Sequence, residues 1–124
     1  MSRPIGAHFH VAHGLSNAML LPAVTAFSAP AAIDRYAACA RAMGIAKPDT
    51  DDRSSVSALV AELEALNDDL DVPGPREYGI DPARWEALLP TMAAQALASG
   101  SPANNPLEPS ADEIVALYRR VWAG

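Results

Sequence analysis

An all-α fold is predicted from three features. Alanine is abundant while aromatics make up only 6% of the 124 residues, apolar residues recur at three- and four-residue spacing, and the segments with that spacing are bounded by capping residues, prolines and glycines. A β-sandwich draws on branched and aromatic side chains that are scarce here. The length suits one domain over 1–124, and with 50% of residues apolar it can bury a core without disulfides. About five helices account for the chain, and none of its segments asks for a strand.

The first helical segment covers about residues 13–27. It contains Pro22, which lacks a backbone donor and is expected to kink or interrupt the helix. The second takes Ser28 as N-cap near Pro30, presents Ile33, Tyr36, Ala37, Ala40 and Met43, and closes at Gly44. The third, about residues 55–70, carries Val56, Leu59, Val60, Leu63, Leu66 and Leu70 as one stripe with acids opposite. A loop through residues 72–75 leads to the fourth, where Asp81 caps, Pro82 sits in the first turn and Trp85, Leu88, Leu89, Met92, Ala96 and Leu97 face inward before Gly100. Pro90 is expected to bend it. Residues 99–109 form a linker rich in turn residues. The last segment opens on Ser110 and Glu113, a capping-box pattern, and carries Ile114, Val115, Leu117, Tyr118, Val121 and Trp122.

Nine basic and fifteen acidic side chains give a net charge of -6, with Lys47 the only lysine and no basic cluster. Nucleic-acid backbones would be repelled, so nucleic acid is excluded as a partner. Cys39 is alone and cannot pair within the chain, which suits a reducing compartment; the expected location is cytoplasmic. The apolar stretch 18–32 is broken by Pro22, Thr25, Ser28 and Pro30 and fits neither a membrane span nor a signal peptide.

The densest chemistry lies near the start, where His8, His10 and His13 fall within six positions. Imidazole is the commonest metal ligand and is easily poised near neutral pH, so metal binding or proton transfer is the first functional hypothesis. His13 precedes Gly14 and a helix, a setting that can present its ring to a ligand. His10 is a secondary metal candidate. His10 and His13 share a face only if residues 10–13 are helical, and His8 and His10 only if they are extended, so a closed three-histidine site within this run is not expected. Asn17, one turn beyond His13, can orient a ligand or tie down the helix start.

Other patterns fail on chemistry. Residues 14–18 come within one substitution of the Gly-x-Ser-x-Gly turn, but no strand precedes Ser16 and every histidine lies before it, against the hydrolase order. The seven glycines never reach dinucleotide spacing. Asp49, Asp51 and Asp52, and likewise Asp68, Asp69 and Asp71, lack the alternating ligands of a calcium loop and read as solvated charge. No catalytic residue is assigned.

The run Pro4-Ile5-Gly6-Ala7 followed by His13-Gly14-Leu15-Ser16-Asn17-Ala18-Met19-Leu20-Leu21-Pro22 resembles the C-terminal signature of the iron-containing (group III) alcohol dehydrogenases. Arg35-Tyr36-Ala37, Ala42-Met43-Gly44, Asn104-Asn105-Pro106 and the segment 113–119 are similar to further landmarks of that family, so the resemblance extends over essentially the whole chain. It implies the helical, metal-binding domain of a dehydroquinate synthase-like architecture, within an oxidoreductase that interconverts alcohols with aldehydes or ketones using NAD(P) and Fe(2+) or another divalent metal.

In that family an aspartate and three histidines hold the metal, and the resemblance maps the last histidine onto His13. The other three ligands and the α/β cofactor domain would precede Met1, which falls where the family commonly has an internal methionine. A truncated reading frame, a misassigned start or a split gene is therefore expected, with the missing N-terminal dehydrogenase portion, or a further copy of the chain, as partner. Arg3 stands where the family often has a histidine near the nicotinamide and is the cofactor-side candidate. Ala12 replaces the usual proline before His13, and Leu107 stands where an arginine often follows Asn-Pro.

The expectation is a domain that is inactive alone and binds neither metal nor NAD(P) stably by itself. The alternative is a small helical protein-interaction module without catalysis. A third reading is a free-standing metal binder through His8, His10 and His13.

Overall fold

The computed structural model describes residues 1–124 and is all-helical. Six α-helices follow one another: α1 (Ser2–Phe9), α2 (His13–Ser28), α3 (Ile33–Ala42), α4 (Asp52–Asp69), α5 (Pro82–Ala98) and α6 (Ala111–Ala123), with single 3-10 turns at Ala29–Ala31 and Ser101–Asn104.

The helix α1 was not foreseen in the sequence. Pro4 is tolerated because it sits in the first turn, where backbone donors have no intrahelical partner. The helix stops at His10, a left-handed residue with φ 57° whose N–H returns to the Gly6 carbonyl. Gly6 fits closely there, since a Cβ would come within 3.1 Å of the Val11 carbonyl oxygen and that backbone would have to give by a few tenths of an ångström. Buried Val11 and extended Ala12 then lead into α2.

Pro22 and Pro90 each lie inside an unbroken helix, α2 and α5, so neither proline interrupts its helix. Ser28 is a correction. It is the last residue of α2 rather than an N-cap, and its hydroxyl donates to the Val24 carbonyl at 2.7 Å; α3 starts behind Ala32 with no side-chain cap. The backbone around Pro30 closes a 3-10 turn instead, which continues the helical direction for one more turn. Gly44 does end its segment, at φ 75°.

Helix α4 begins three residues before the expected start because Asp51 acts as its cap, accepting from the Ser54 N–H at 3.0 Å. Its stripe is buried at Val56, Leu59 and Leu63 but emerges at Leu66 (43% exposed) and Leu70 (65%). Asp81 caps α5 and Ser110 and Glu113 form the full capping box of α6, both as read from the sequence. The linker 99–109 is less irregular than expected. It holds the second 3-10 turn, and Asn105 ties it back by donating to Ser28 Oγ at 2.8 Å and to the Leu107 carbonyl at 2.7 Å.

The main core joins α1, α2, α5 and α6 through Ile5, Leu20, Trp85, Leu89, Ile114 and Tyr118. Each such side chain contributes roughly 1.5–3 kcal/mol by leaving water. Within it runs an aromatic ladder: Phe9 and Trp122 lie tilted on either side of Trp85, each 5.5 Å away, with Tyr118 edge-on at 5.7 Å. Arginines cover both ends, Arg84 at 5.4 Å over Phe9 and Arg76 at 5.6 Å over Trp122. These are distances at which cation–π attraction acts. The α3–α4 pair packs beside this core on smaller clusters around Ala37 and Val56 and around Ala40, Leu59 and Leu63. Asn67 fastens α4 to α2 by donating to the Ala18 carbonyl at 2.9 Å.

Candidate functional site

The three histidines sit on three different backbone states. His8 is on the last turn of α1, His10 is its left-handed cap, and His13 is the first residue of α2. Neither condition for a shared histidine face is met, because residues 10–12 are not helical and His8 lies in α1 with His10 left-handed rather than extended. No group of three or more His, Cys, Asp or Glu side chains is placed to hold a metal ion. His8, His10 and His13 are thus not brought together into one donor group in this structure.

Each ring has its own surroundings. His8 Nε2 lies 2.9 Å from Gln95 Oε1, and His13 Nε2 lies 3.3 Å from Asn17 Nδ2 one turn along α2. His10 is exposed. His13, Gly14, Asn17 and Leu21 are all exposed and follow one line along α2, at positions spaced by about one turn. Arg3 is exposed on α1.

The elbow that delivers His13 is held from a distance. Arg84 of α5 donates to the His8 carbonyl at 2.9 Å, and the Tyr78 hydroxyl donates to the His10 carbonyl at 3.4 Å. Ser16 donates to the Ala12 carbonyl at 3.1 Å from the first turn of α2. Carbonyls at the end of α1 have no partner within their helix, so Arg84 and Tyr78 satisfy groups the elbow would otherwise leave to water, whereas the Ala12 carbonyl also accepts the Ser16 backbone N–H at 2.9 Å. Sequence reasoning missed Arg84, Tyr78 and Gln95. Their partners lie more than sixty positions away and no local pattern marks them, whereas Asn17 was found because it is one helical turn from His13.

The concave surfaces lie elsewhere. A groove of about 530 Å³ runs between α2, α4 and α6 and is lined by Met19, Glu64, Arg76, Arg120 and Trp122 among others; a shallower one of about 1000 Å³ lies between the first 3-10 turn and α4. Neither includes a histidine. His10 and His13 are exposed, so chemistry at these rings needs a second surface to exclude water.

Comparison with known proteins gives this face a context. The chain is 33% identical over 123 residues to lactaldehyde reductase of Escherichia coli K12, an alignment that covers 98% of this chain and 31% of that protein. It is 27% identical to NADPH-dependent butanol dehydrogenase of Clostridium saccharobutylicum, covering 100% of this chain and 32% of the relative. Among solved structures, a 1,3-propanediol oxidoreductase superposes with a TM-score of 0.87 at 27% identity, over 97% of this chain and 31% of that one. The chain thus spans about a third of the length of the relatives it matches. The family model described as Fe-containing alcohol dehydrogenase family, C-terminal, matches residues 1–122, and the chain belongs to that family.

Proposed function

We propose that residues 1–124 are a single helical domain that serves an NAD(P)-dependent, metal-dependent alcohol dehydrogenase by presenting His13 as one ligand of a divalent ion, Fe(2+) or another. In this reading His10 is a secondary donor and Arg3 lies on the nicotinamide side. The interconversion of alcohols with aldehydes or ketones requires, beyond these residues, the cofactor domain and the remaining ligands, so the domain by itself is inactive.

The observation that carries the proposal is the placement of His13. It opens α2 inside the signature run, its ring is exposed, and its Nε2 meets only a neutral amide. That suits an imidazole that donates one lone pair to an ion. No group of three or more carboxylate, thiol or imidazole side chains converges here, so the donors on this chain fit part of a coordination sphere rather than a closed one. When bound in a complete site, the metal supplies Lewis acidity that favours the alkoxide over the alcohol. This chain's own contribution is to bind and orient: Arg84 and Tyr78 hold the elbow, Gly6 leaves room for the close Val11 carbonyl, and His13 is set at the mouth of α2.

Equilibrium dialysis against Zn(2+) or Fe(2+) tests the reading. Binding is expected to be weak and to disappear in His13→Ala while His10→Ala retains it. Retention of a stoichiometric ion through desalting by the 124-residue chain alone would contradict it.

A further inference from the structure

We propose that Asn17 is a positioning residue that selects the tautomer of His13, keeping the proton on Nδ1 and the lone pair, engaged by the Asn17 amide, on Nε2. The inference rests on the reading of His13 as a donor but concerns an arrangement that exists without any ion.

The two bonded histidines make opposite demands on their rings. Gln95 approaches His8 Nε2 with its carbonyl oxygen at 2.9 Å, and a carbonyl oxygen only accepts, so this contact favours a His8 ring protonated on Nε2. Asn17 approaches His13 Nε2 with its amide nitrogen at 3.3 Å, and an amide NH2 only donates, so this contact favours the His13 tautomer with the lone pair on Nε2 and the proton on Nδ1. The bond made at one ring nitrogen fixes the state of the other. His10 has no ring hydrogen bond among the contacts of the elbow and is exposed, which makes it an internal reference.

The geometry gives Asn17 this role because both residues lie on one helix. His13 and Asn17 are four positions apart on α2, where side chains at i and i+4 stack on one face. Their relative placement is therefore fixed by helical geometry and does not depend on a loop. An ion that takes the Nε2 lone pair needs only to displace a neutral amide, with no proton to remove from the ligating atom. Of the two nitrogens, Nε2 is the outer one on the ring and extends farther from the helix backbone toward an incoming surface.

The test is long-range 1H–15N NMR of the three histidines in the 124-residue chain at about pH 8.5, where imidazoles are ordinarily neutral. His13 is expected to show an Nδ1-protonated share at least about threefold larger than His10, the scale of one solvent-exposed hydrogen bond. His8 is expected to show the opposite preference. In Asn17→Ala the His13 ratio falls to that of His10. In Asn17→Asp, where the side chain can only accept, it reverses toward Nε2–H. Both variants are at an exposed site, and far-UV circular dichroism checks that the helices persist. A His13 ratio equal to that of His10 in the wild type, or one unchanged by Asn17→Ala, overturns the proposal. Adding Zn(2+) to the same sample separates it from the reading beneath: a normal tautomer result with no Zn(2+) response at His13 leaves the Asn17 role standing and removes the ligand role.

Discussion

The Tyr118 hydroxyl on α6 donates to the Met1 carbonyl at 2.8 Å, so the last helix holds the first residue of the chain across the core. The phenol is fully buried and edge-on to Trp85, and burial pushes its ionisation well above the usual range, so it stays a neutral donor at any ordinary pH. One hydrogen bond thus fixes the start of α1, whose other end leads to the His13 elbow.

Tyr118→Phe keeps the ring and leaves the Met1 carbonyl short of its partner. A loss of about 1–2 kcal/mol is expected from urea unfolding. An unchanged midpoint would show that the carbonyl finds another partner and that α1 is not held from α6.

Trp85→Ala removes the middle of the ladder between Phe9 and Trp122 at a site only 1% exposed. The expected loss is about 3–5 kcal/mol, enough to threaten folding of a domain this size. Trp85→Phe is the milder companion; it also deletes an Nε1–H that is buried without a partner, which offsets part of the lost packing.

Asn105→Ala cuts the linker loose from the end of α2. Both amide bonds, to Ser28 Oγ and the Leu107 carbonyl, disappear, and a loss of about 1–2 kcal/mol is expected by thermal or urea unfolding. Leu107→Ala, at a side chain 37% exposed, serves as the local control and should stay within about 0.5 kcal/mol.

Acid should destabilise the fold through its helix caps and a surface ion pair. Asp51 is held below the usual carboxylate range by the Ser54 N–H, Glu86 by the Arg119 guanidinium and Glu113 by the Ser110 N–H. Because each carboxyl ionises more readily in the folded chain, it stabilises the fold above the ordinary values near about pH 4. That contribution is lost as the pH falls through the lower folded values. Urea midpoints should therefore hold steady down to about pH 5 and then decline, and Ser110→Ala should blunt the decline.

Much of the helical layout was legible because its signals are local. Asp81 with Pro82, Ser110 with Glu113, and Gly44 sit within a turn of the ends they define, so spacing alone located them. The failures were also local, in a different sense. Pro4 and Gly6 within eight residues argue against a helix, and α1 forms because its Ile5 face is buried in the core and Tyr118 holds Met1, the residue that caps it, contacts that no window of sequence contains. Ser28 looked like a cap because serine caps often; here its hydroxyl turns back into α2 and toward Asn105, a partner 77 positions away. Asp51 was grouped with Asp49 and Asp52 as solvated loop and helix-end charge, and only backbone geometry singles it out among them as the cap.

The candidate site divides in the same way. His13 and Asn17 could be paired from helical spacing, and the signature run around them pointed to the family. The donors that steady the elbow, Arg84 and Tyr78, approach from α5 and the turn before it, and their roles follow from tertiary packing alone.

The most direct measurement is an assay of the purified 124-residue chain, loaded with Fe(2+) or Zn(2+), for reduction of NAD+ or NADP+ by short-chain alcohols and 1,2- or 1,3-diols. No turnover above metal and buffer blanks is expected, because one imidazole and an exposed helical face provide neither a closed coordination sphere nor a cofactor cradle. Sustained alcohol-dependent turnover that disappears in His13→Ala would contradict a domain that is inactive on its own.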